Sequence, residues 1–313
     1  MNFDRRRFLG VMAAGAGALT LGACGGSNSD PLAGGSASPA GGSSGSAAAG
    51  SIVVGSGNFT ESAILGQIYS QALVAKGVQS SVKANLNSRE VYIKALQDGS
   101  VSAFPEYTGN LLLYFDKNAT AKTSEEVIAA LPKAIGSLKV LDASQAVDQD
   151  VYCCTQEWSQ KNGVTSLADL SKVQNLSVGG PPELQQRDYG PPGLKSVYGA
   201  TTASFKAYSS TAVKVKDLQD GKVDIADFFT TESAIADNNL VKLADPKTLI
   251  LPQQVIPLVS SAVASNSTAT AALNAVQKAL TTDDLLALNK KVDSDRQDPA
   301  DVAKAWLQSK QLV

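Results

Sequence analysis

The stretch LQDGSVSAFPEYTG at residues 96–109 is echoed by LQDGKVDIADFFTT at residues 218–231. Each copy follows a helical pattern, and its glycine supplies the left-handed cap before a short strand, at 101–104 or at 223–228. Each strand then ends in aromatic and hydroxyl residues. Because ligands of open α/β sheets bind beyond the carboxyl ends of the strands, the repeat predicts two similar lobes that present aromatic loops to a shared cleft.

The sequence before the first copy predicts a β-α-β unit. Residues 51–55 form a short buried strand, Thr60 caps a helix with apolar residues at helical spacing, and Gly77 ends that helix before a strand at 81–86. A β-α-β unit implies parallel strands. The chain is therefore predicted to belong to the α/β class, with a parallel sheet.

The second lobe is predicted to begin near Asp150 with a new strand, and residues 249–259 are extended and return to the first lobe. We expect lobe 1 to comprise 51–148 plus 256–313, covered by the C-terminal helices, and lobe 2 to comprise 149–255. The chain then crosses between the lobes twice, which predicts a hinge.

The composition excludes several functions. The chain contains no histidine, which rules out a histidine general base, a Ser-His-Asp triad and a histidine-ligated metal site. Carboxylate or lysine chemistry stays open, and the Gly-rich turn at 55–60 is typical of dinucleotide binding, but Thr60 stands where the third glycine belongs. Without residues 1–23, the chain is mildly acidic and has no basic runs, which makes it a poor candidate for nucleic acid. We predict no catalysis, no cofactor and no metal.

The N-terminus predicts export and anchoring. Arg5, Arg6 and Arg7 precede a short apolar run, so residues 1–23 are predicted to be a signal peptide, read by the twin-arginine or the general pathway. The sequence LGAC at 21–24 resembles a bacterial lipobox, which makes Cys24 the lipidated residue. The Gly/Ser/Ala-rich stretch up to residue 50 is predicted to be a flexible tether. We expect a protein held by lipid at the extracytoplasmic face of the cell membrane.

The remaining two cysteines are adjacent, at Cys153 and Cys154. In an exported protein they could form a vicinal disulfide, but cysteines within a strand more often pack as small buried hydrophobes. We favour two thiols.

Four motifs resemble one family along essentially all of residues 51–313. The motifs are VGSGNFTESAILG at 54–66, PEYTG at 105–109, PGLKSVYG at 192–199 and DPADVA at 298–303. They are similar to the substrate-binding lipoproteins of osmoprotectant ABC transporters, which bind glycine betaine, choline or carnitine. The resemblance implies a two-lobed Venus flytrap fold with a central cleft, in which a box of tyrosines holds the trimethylammonium head of the ligand by cation–π attraction.

The resemblance also implies site residues. Tyr107 becomes the wall from lobe 1 and Tyr152 the first wall from lobe 2, while Phe229 and Val215 stand at positions that are usually tyrosine. Arg187 stands where the family often places a carboxylate-binding arginine. Asn110 occupies a position that varies with the ligand, and Gly57 replaces a residue that is often polar or basic. The predicted site comprises Tyr107, Tyr152, Phe229, Arg187, Asn110, Asp150, Asn58, Phe59, Gly57, Thr108, Thr230 and Val215.

Each residue has a plainer interpretation. Tyr107 could be an ordinary tyrosine at a strand end, Arg187 could pair with Glu183 one helical turn away, and Asp150 could only orient a loop. Phe228 and Phe229 are adjacent on a strand, so one must face the core and only the other can face the cleft.

The predicted function is therefore capture of a quaternary ammonium osmoprotectant by cleft closure and delivery to the permease subunits of an ABC importer. The chain is expected to act as a monomer, without nucleic acid. Because the predicted cage lacks a wall, the same transport role for an aromatic or phenolic solute is the alternative. A sensing surface lipoprotein that transports nothing is the second alternative.

Overall fold

The computed structural model describes residues 50–313. The predicted signal peptide at 1–23, the lipidation of Cys24 and the tether up to residue 49 lie outside the described residues. Within the described part, no helix has both the length and the apolar character needed to cross a membrane. The residues form two five-stranded sheets with helices around them. We call the part of the chain around the first sheet lobe 1 and the part around the second sheet lobe 2.

The elements of residues 50–313 follow one another in mixed α/β order. The strands are β1 (Ile52–Gly55), β2 (Ser80–Lys83), β3 (Ala103–Tyr107), β4 (Lys139–Val140), β5 (Asp150–Cys154), β6 (Leu176–Gly180), β7 (Thr202–Ala207), β8 (Ile225–Phe229), β9 (Val241–Lys242) and β10 (Val255–Val259). The helices are α1 (Thr60–Ala75), α2 (Arg89–Gln97), α3 (Thr108–Phe115), α4 (Ser124–Ala134), α5 (Gln156–Asn162), α6 (Pro191–Tyr198), α7 (Thr211–Gln219), α8 (Ser233–Asp237), α9 (Ser261–Ala264), α10 (Ser267–Ala279), α11 (Thr282–Asp293) and α12 (Pro299–Ser309). Two 3-10 helices span Leu167–Lys172 and Pro182–Gln186.

Each sheet is mixed, with a parallel half. In lobe 1 the order is β2-β1-β3-β10-β4, and β1 runs parallel to β2 and β3, as the β-α-β unit predicts. In lobe 2 the order is β7-β6-β8-β5-β9, and β6 runs parallel to β7 and β8. In lobe 1, β10 runs antiparallel to its neighbour β3, and in lobe 2, β5 runs antiparallel to β8. Each of these two strands is the first one after the chain has crossed into that lobe.

The two copies of the repeat occupy equivalent places. The first copy joins α2 to β3 and the second joins α7 to β8. Gly99 and Gly221 have φ values of 79° and 70°, the left-handed region that favours glycine at the end of a helix. The predicted caps are therefore confirmed.

The start of α1 differs from the prediction. Phe59 is the N-cap residue and makes no side-chain cap, and Thr60 is already helical. The Thr60 hydroxyl instead donates a hydrogen bond of 2.5 Å to Asp293, the last residue of α11. The Thr60 hydroxyl therefore bonds to a residue that is distant in the sequence and does not cap the helix.

The C-terminal helices complete the core of lobe 1, as predicted. Apolar residues of α10, α11 and α12 pack with those of α1 in one buried cluster that includes Ile64, Leu273, Leu288 and Trp306. Burial of this apolar surface is the main force that holds these three C-terminal helices on lobe 1.

Cys153 and Cys154 are free thiols buried in β5. This confirms the interpretation as two packed hydrophobes. Burial raises the pKa of the Cys153 thiol to about 12 and that of Cys154 to about 11. Both groups are therefore neutral and unreactive at neutral pH.

The two crossings between the lobes lie side by side. Val147 and Gln254 form an antiparallel bridge, the Asp148 N–H donates to the Gln253 carbonyl at 3.1 Å, and the Val255 N–H donates to the Ala146 carbonyl at 3.1 Å. We expect this paired connection to be the hinge, because it is the place where both chain segments can bend together.

Candidate functional site

A cavity of about 1090 Å³ lies between the two sheets. Lobe 1 lines it with the loop after β1, the start of α2 and the end of β3. Lobe 2 lines it with the residues after β6 and β7, with α7 and with the end of β8. These segments follow the carboxyl ends of parallel strands, so the cavity occupies the place that the repeat predicts.

Three aromatic rings meet across this cavity. The ring of Phe59 lies 6.4 Å from that of Tyr107 and 5.4 Å from that of Phe229, measured between centroids. Phe59 and Tyr107 belong to lobe 1 and Phe229 to lobe 2. Phe228 is fully buried in the core behind β8, so the prediction that only one of the two adjacent phenylalanines reaches the cleft is confirmed.

A buried carboxyl group, Glu61 on α1, connects one of these rings to the opposite lobe. It accepts hydrogen bonds from the Tyr107 hydroxyl at 2.6 Å, from the Thr231 hydroxyl at 2.6 Å and from the Asn289 amide at 2.8 Å. Thr231 follows β8, and Asn289 lies on α11. Glu61 therefore fixes Tyr107 and holds lobe 2 against lobe 1 at the same time.

A second contact between the lobes is an ion pair at the mouth of the cavity. Arg187 donates to both carboxylate oxygens of Glu90, at 2.7 and 3.3 Å. Partial burial opposes ionisation of Glu90, but the hydrogen bonds and charge of Arg187 prevail and lower its pKa to about 2. Arg187 thus pairs with Glu90 of the other lobe, and the alternative pairing with Glu183 is wrong.

Deeper in the cavity, Arg89 forms a two-pronged ion pair with Glu106, at 2.6 and 3.2 Å. The Tyr92 hydroxyl donates to the same carboxylate at 2.5 Å. Asn110 of lobe 1 donates from its side chain to Asp150 of lobe 2 at 2.6 Å. Asp150 therefore joins the lobes as well as standing at the start of β5.

Among the residues that the structure describes, no cation contacts the buried carboxyl groups of Glu61, Asp148, Asp150 and Asp227 in the cavity. Burial raises the pKa of each, and for Asp148 the nearby charge of Glu61 adds to the effect. For Asp150 burial outweighs the Asn110 hydrogen bond, and for Asp227 the charge of Asp150 raises the pKa further. Such groups favour a positively charged neighbour, because a cation stabilises the ionised form that burial penalises.

The sequence of residues 50–309 matches the family described as the substrate binding domain of the ABC-type glycine betaine transport system. The chain belongs to this family. The glycine betaine-binding protein YehZ of Escherichia coli is 30% identical over 213 residues, which cover 63% of this chain and 69% of that protein. The carnitine transport binding protein OpuCC of Listeria monocytogenes is 23% identical over 82% of this chain and 86% of its own.

Solved structures agree with the two-lobed fold of this glycine betaine-transporter family. A glycine betaine/carnitine/choline ABC transporter protein superposes with a TM-score of 0.66 at 20% identity, over 83% of this chain and 99% of that chain. Ligand-free YehZ from E. coli superposes with a TM-score of 0.61 at 27% identity, over 84% of this chain and 99% of its own. The chain is thus a two-lobed substrate-binding domain of the transport type.

Tyr152, which the family resemblance assigns to the cage, does not line the cavity. Its side chain is 1% exposed, and its hydroxyl donates to the Tyr189 carbonyl at 3.0 Å. Asp227, which lies opposite Tyr152 in the pairing of β5 with β8, does line the cavity, whereas the Tyr152 side chain packs into the core of lobe 2. Tyr189 covers Tyr152 and lines the cavity in its place.

Thr108 and Thr230 do not line the cavity either. Their hydroxyls bond instead to residues of the two segments that connect the lobes. Thr108 donates to the Pro252 carbonyl at 3.0 Å and accepts from the Gln254 N–H at 3.0 Å. Thr230 accepts from the Gln149 N–H at 2.9 Å and donates to Asp148 at 3.2 Å. Both threonines stabilise the paired connection between the lobes.

Gly57 does not line the cavity itself, but its lack of a side chain leaves space for the ring of Phe59, which does. Its N–H donates to the Ser62 hydroxyl at 2.7 Å, and a Cβ at this position would lie 2.9 Å from the Phe59 ring. Asn58 and Val215 do line the cavity, as do the other predicted residues. The structure thus brings together Phe59, Tyr107, Phe229, Arg187, Asn110, Asp150, Asn58 and Val215, and leaves out Tyr152, Thr108, Thr230 and Gly57.

Sequence reasoning missed the residues that give the cavity its charge: Glu61, Arg89, Glu106, Asp148, Lys214 and Asp227. Two of them carried a signal. Glu106 precedes Tyr107, and Asp227 precedes the two phenylalanines, within the copies of the repeat. A polar residue inside an apolar strand that ends at a cleft indicates a functional group, since burial of a charge is costly without a partner.

Proposed function

We propose that this chain is the solute-capturing lipoprotein of an ABC importer, that its ligand is a quaternary ammonium compound, and that it delivers this ligand to permease subunits. The relatives named for glycine betaine and carnitine support the class of ligand. The cleft supports it independently, through its aromatic rings and its buried carboxyl groups.

The observation that carries the proposal is the combination of ring faces with carboxyl groups. Phe59, Tyr107 and Phe229 present π-faces, and Asp150 and Asp227 lie buried below them. A quaternary ammonium ion is attracted by the negative face of a ring, by about 0.5–2 kcal/mol for each contact. Carboxylates near the rings add attraction of the same sign, so the cavity favours a cation.

Closure of the two lobes is the mechanism of capture. Contacts between Glu61 and Thr231, between Asn110 and Asp150 and between Arg187 and Glu90 join the lobes. A ligand that contacts rings on both sides adds to these contacts only in the closed state. It therefore shifts the population toward closure, and the permease receives the closed form.

The remaining parts of the proposal concern organisation. Lobe 1 comprises 51–148 plus 256–313 and lobe 2 comprises 149–255, in keeping with the strands of the two sheets. Cys24 carries the lipid that holds the chain at the extracytoplasmic face of the membrane, and the chain acts as a monomer. The binding cycle involves no catalysis, since closure and opening suffice for transfer.

Calorimetric titration with choline, glycine betaine and carnitine tests the proposal, together with a panel of phenolic solutes. Binding of at least one quaternary ammonium compound supports it. Loss of that binding in Tyr107→Ala would show that the Tyr107 ring contributes to the ligand site. Tyr114→Ala is the matched control, because Tyr114 is only half-buried and does not line the cavity. Binding of phenolic solutes alone would establish the aromatic-solute alternative instead.

A further inference from the structure

Two carboxylates form the floor of the cavity in lobe 2. Asp150 lies opposite Phe229 and Asp227 lies opposite Tyr152 in the antiparallel pairing of β5 with β8. The two aspartates are therefore diagonal neighbours on the same face of the sheet. They are 5% and 1% exposed, and both line the cavity.

Five buried polar atoms on residues that line the cavity have no hydrogen-bond partner among the described residues. Three of them, Asp227 Oδ1, Asn110 Oδ1 and Gln253 Nε2, belong to residues that are 1%, 7% and 1% exposed, and the other two are Arg187 Nε and Asn289 Oδ1. Gln253 is held beside Asn110, since its Oε1 accepts the Asn110 N–H at 3.0 Å. A buried polar atom left without a hydrogen bond costs about 1–3 kcal/mol, so several such atoms on the residues of one cavity indicate that the ligand supplies partners to some of them.

Among the described residues, no cation lies within ion-pair distance of the carboxyl oxygens of the two aspartates. Of the cavity cations that are not exposed, Arg89 pairs with Glu106 and Arg187 with Glu90. Lys214 donates to the backbone carbonyl of Asp227 at 2.6 Å and to Glu232 at 3.5 Å. A carboxylate on the ligand would thus find Arg89 and Lys214 already paired and, on Arg187, a single unpartnered N–H at Nε, while Asp150 and Asp227 offer it only carboxyl oxygens.

We propose that Asp150 and Asp227 are specificity-determining residues, which select a cation that carries a hydroxyl or N–H donor and no carboxylate. The inference rests on the proposed function and narrows its ligand class. A hydroxyl satisfies the floor best, because it donates to an aspartate and accepts from Gln253 Nε2. Zwitterions bring no net positive charge to compensate the aspartates, and their carboxylate enters the same cavity as these acidic groups.

Three probes of similar size separate the effect of the ligand's charge from that of its hydrogen-bond donor. Choline is a cation with a donor, tetramethylammonium is a cation without one, and glycine betaine is a zwitterion. We expect calorimetric titration of the purified protein to give the tightest binding for choline, weaker binding for tetramethylammonium and the weakest for glycine betaine. The step from choline to glycine betaine is expected to be about tenfold or more, from a charged hydrogen bond lost.

Asp227→Asn keeps the shape of the side chain and removes its charge. It should weaken the binding of choline about tenfold and leave the affinity for glycine betaine unchanged or higher. Asp150→Asn, which removes the other floor carboxylate, should shift the preference in the same direction, and far-ultraviolet circular dichroism verifies folding of both. Asp283→Asn is the control for net charge, because Asp283 is exposed on α11 away from the cavity.

The possible outcomes distinguish failure of the proposed selectivity from failure of the proposed ligand class. Equal affinity for choline and glycine betaine, or an equal loss of both in folded Asp227→Asn, would overturn the selectivity and leave the proposed function standing. If none of the three probes binds, the proposed ligand class fails, and this inference fails with it.

Discussion

Glu61 of lobe 1 accepts a hydrogen bond of 2.6 Å from the hydroxyl of Thr231 in lobe 2. The other oxygen of the same carboxyl group accepts from Tyr107, also at 2.6 Å. One buried side chain therefore positions an aromatic wall of the cleft and joins the two lobes. Movement of the lobes must break this bond, so ring position and closure are linked through Glu61.

The first prediction concerns pH. Burial raises the pKa of Glu61 above the ordinary value of 4.5, so the folded protein holds this proton more tightly than the unfolded chain does. Its contribution to stability is complete below pH 4.5 and is lost as the pH rises through the raised pKa. We expect the Tm of the ligand-free protein to fall as the pH rises from about 5 to about 8.

Glu61→Gln keeps the size and shape of the side chain and cannot ionise, although its NH2 group donates where one oxygen of Glu61 accepts. Thermal unfolding of this variant should therefore depend less steeply on pH than that of the wild type. The slope should not vanish, because Asp148 lies beside Glu61 and also has a raised pKa. Identical slopes in the two proteins would show that Glu61 does not titrate in this range.

The second prediction separates the ring of Tyr107 from its hydroxyl. Tyr107→Ala removes a π-face and should weaken binding of a quaternary ammonium ligand about tenfold. Tyr107→Phe keeps the face and loses only the bond to Glu61, so it should retain most of the affinity. Calorimetric titration of both variants decides the matter, and an equal loss in the two would assign binding to the hydroxyl rather than to the ring.

The third prediction tests what Arg187 does. If it joins the lobes, Arg187→Gln and Glu90→Gln should each weaken ligand binding only about two- to fivefold, because about half of the Glu90 side chain is exposed. The double variant should weaken it no further than either single change. Arg187 would instead be a ligand-binding residue if Arg187→Gln abolished binding of glycine betaine while Glu90→Gln improved it.

The fourth prediction concerns the space behind Phe59. Gly57→Ala places a Cβ 2.9 Å from the Phe59 ring, so the ring must move away from its position against Phe229. We expect a several-fold loss of ligand affinity, with a destabilisation of about 1–3 kcal/mol if the loop resists the shift. Phe59→Leu, which removes the ring but keeps apolar bulk, should reduce affinity at least as much. Unchanged affinity in both variants would exclude Phe59 from the site.

The sequence predicted local structure well where the signal was local. Gly99 and Gly221 marked the ends of two equivalent helices, because glycine adopts the left-handed conformation at little cost. The alternation of side chains along a strand separated Phe228 from Phe229. The prediction for Thr60 failed for a tertiary reason, since Asp293 is 233 positions away and no local pattern indicates that it reaches this hydroxyl.

By itself, the sequence determined the α/β class, the two similar units, the family and the strand ends that face the cleft, because helix caps, strand periodicity and ordered motifs are written in neighbouring residues. Only the tertiary structure decided which side chains reach the cavity and what charge they carry there. The pairing of β5 with β8 set Asp227 diagonal to Asp150, and packing in the core of lobe 2 buried Tyr152. The approach of the lobes gave Arg187 its partner Glu90 and Glu61 its partner Thr231. Register and lobe contact join residues that are far apart in the chain, and the energies of buried charges depend on those partners rather than on sequence neighbours.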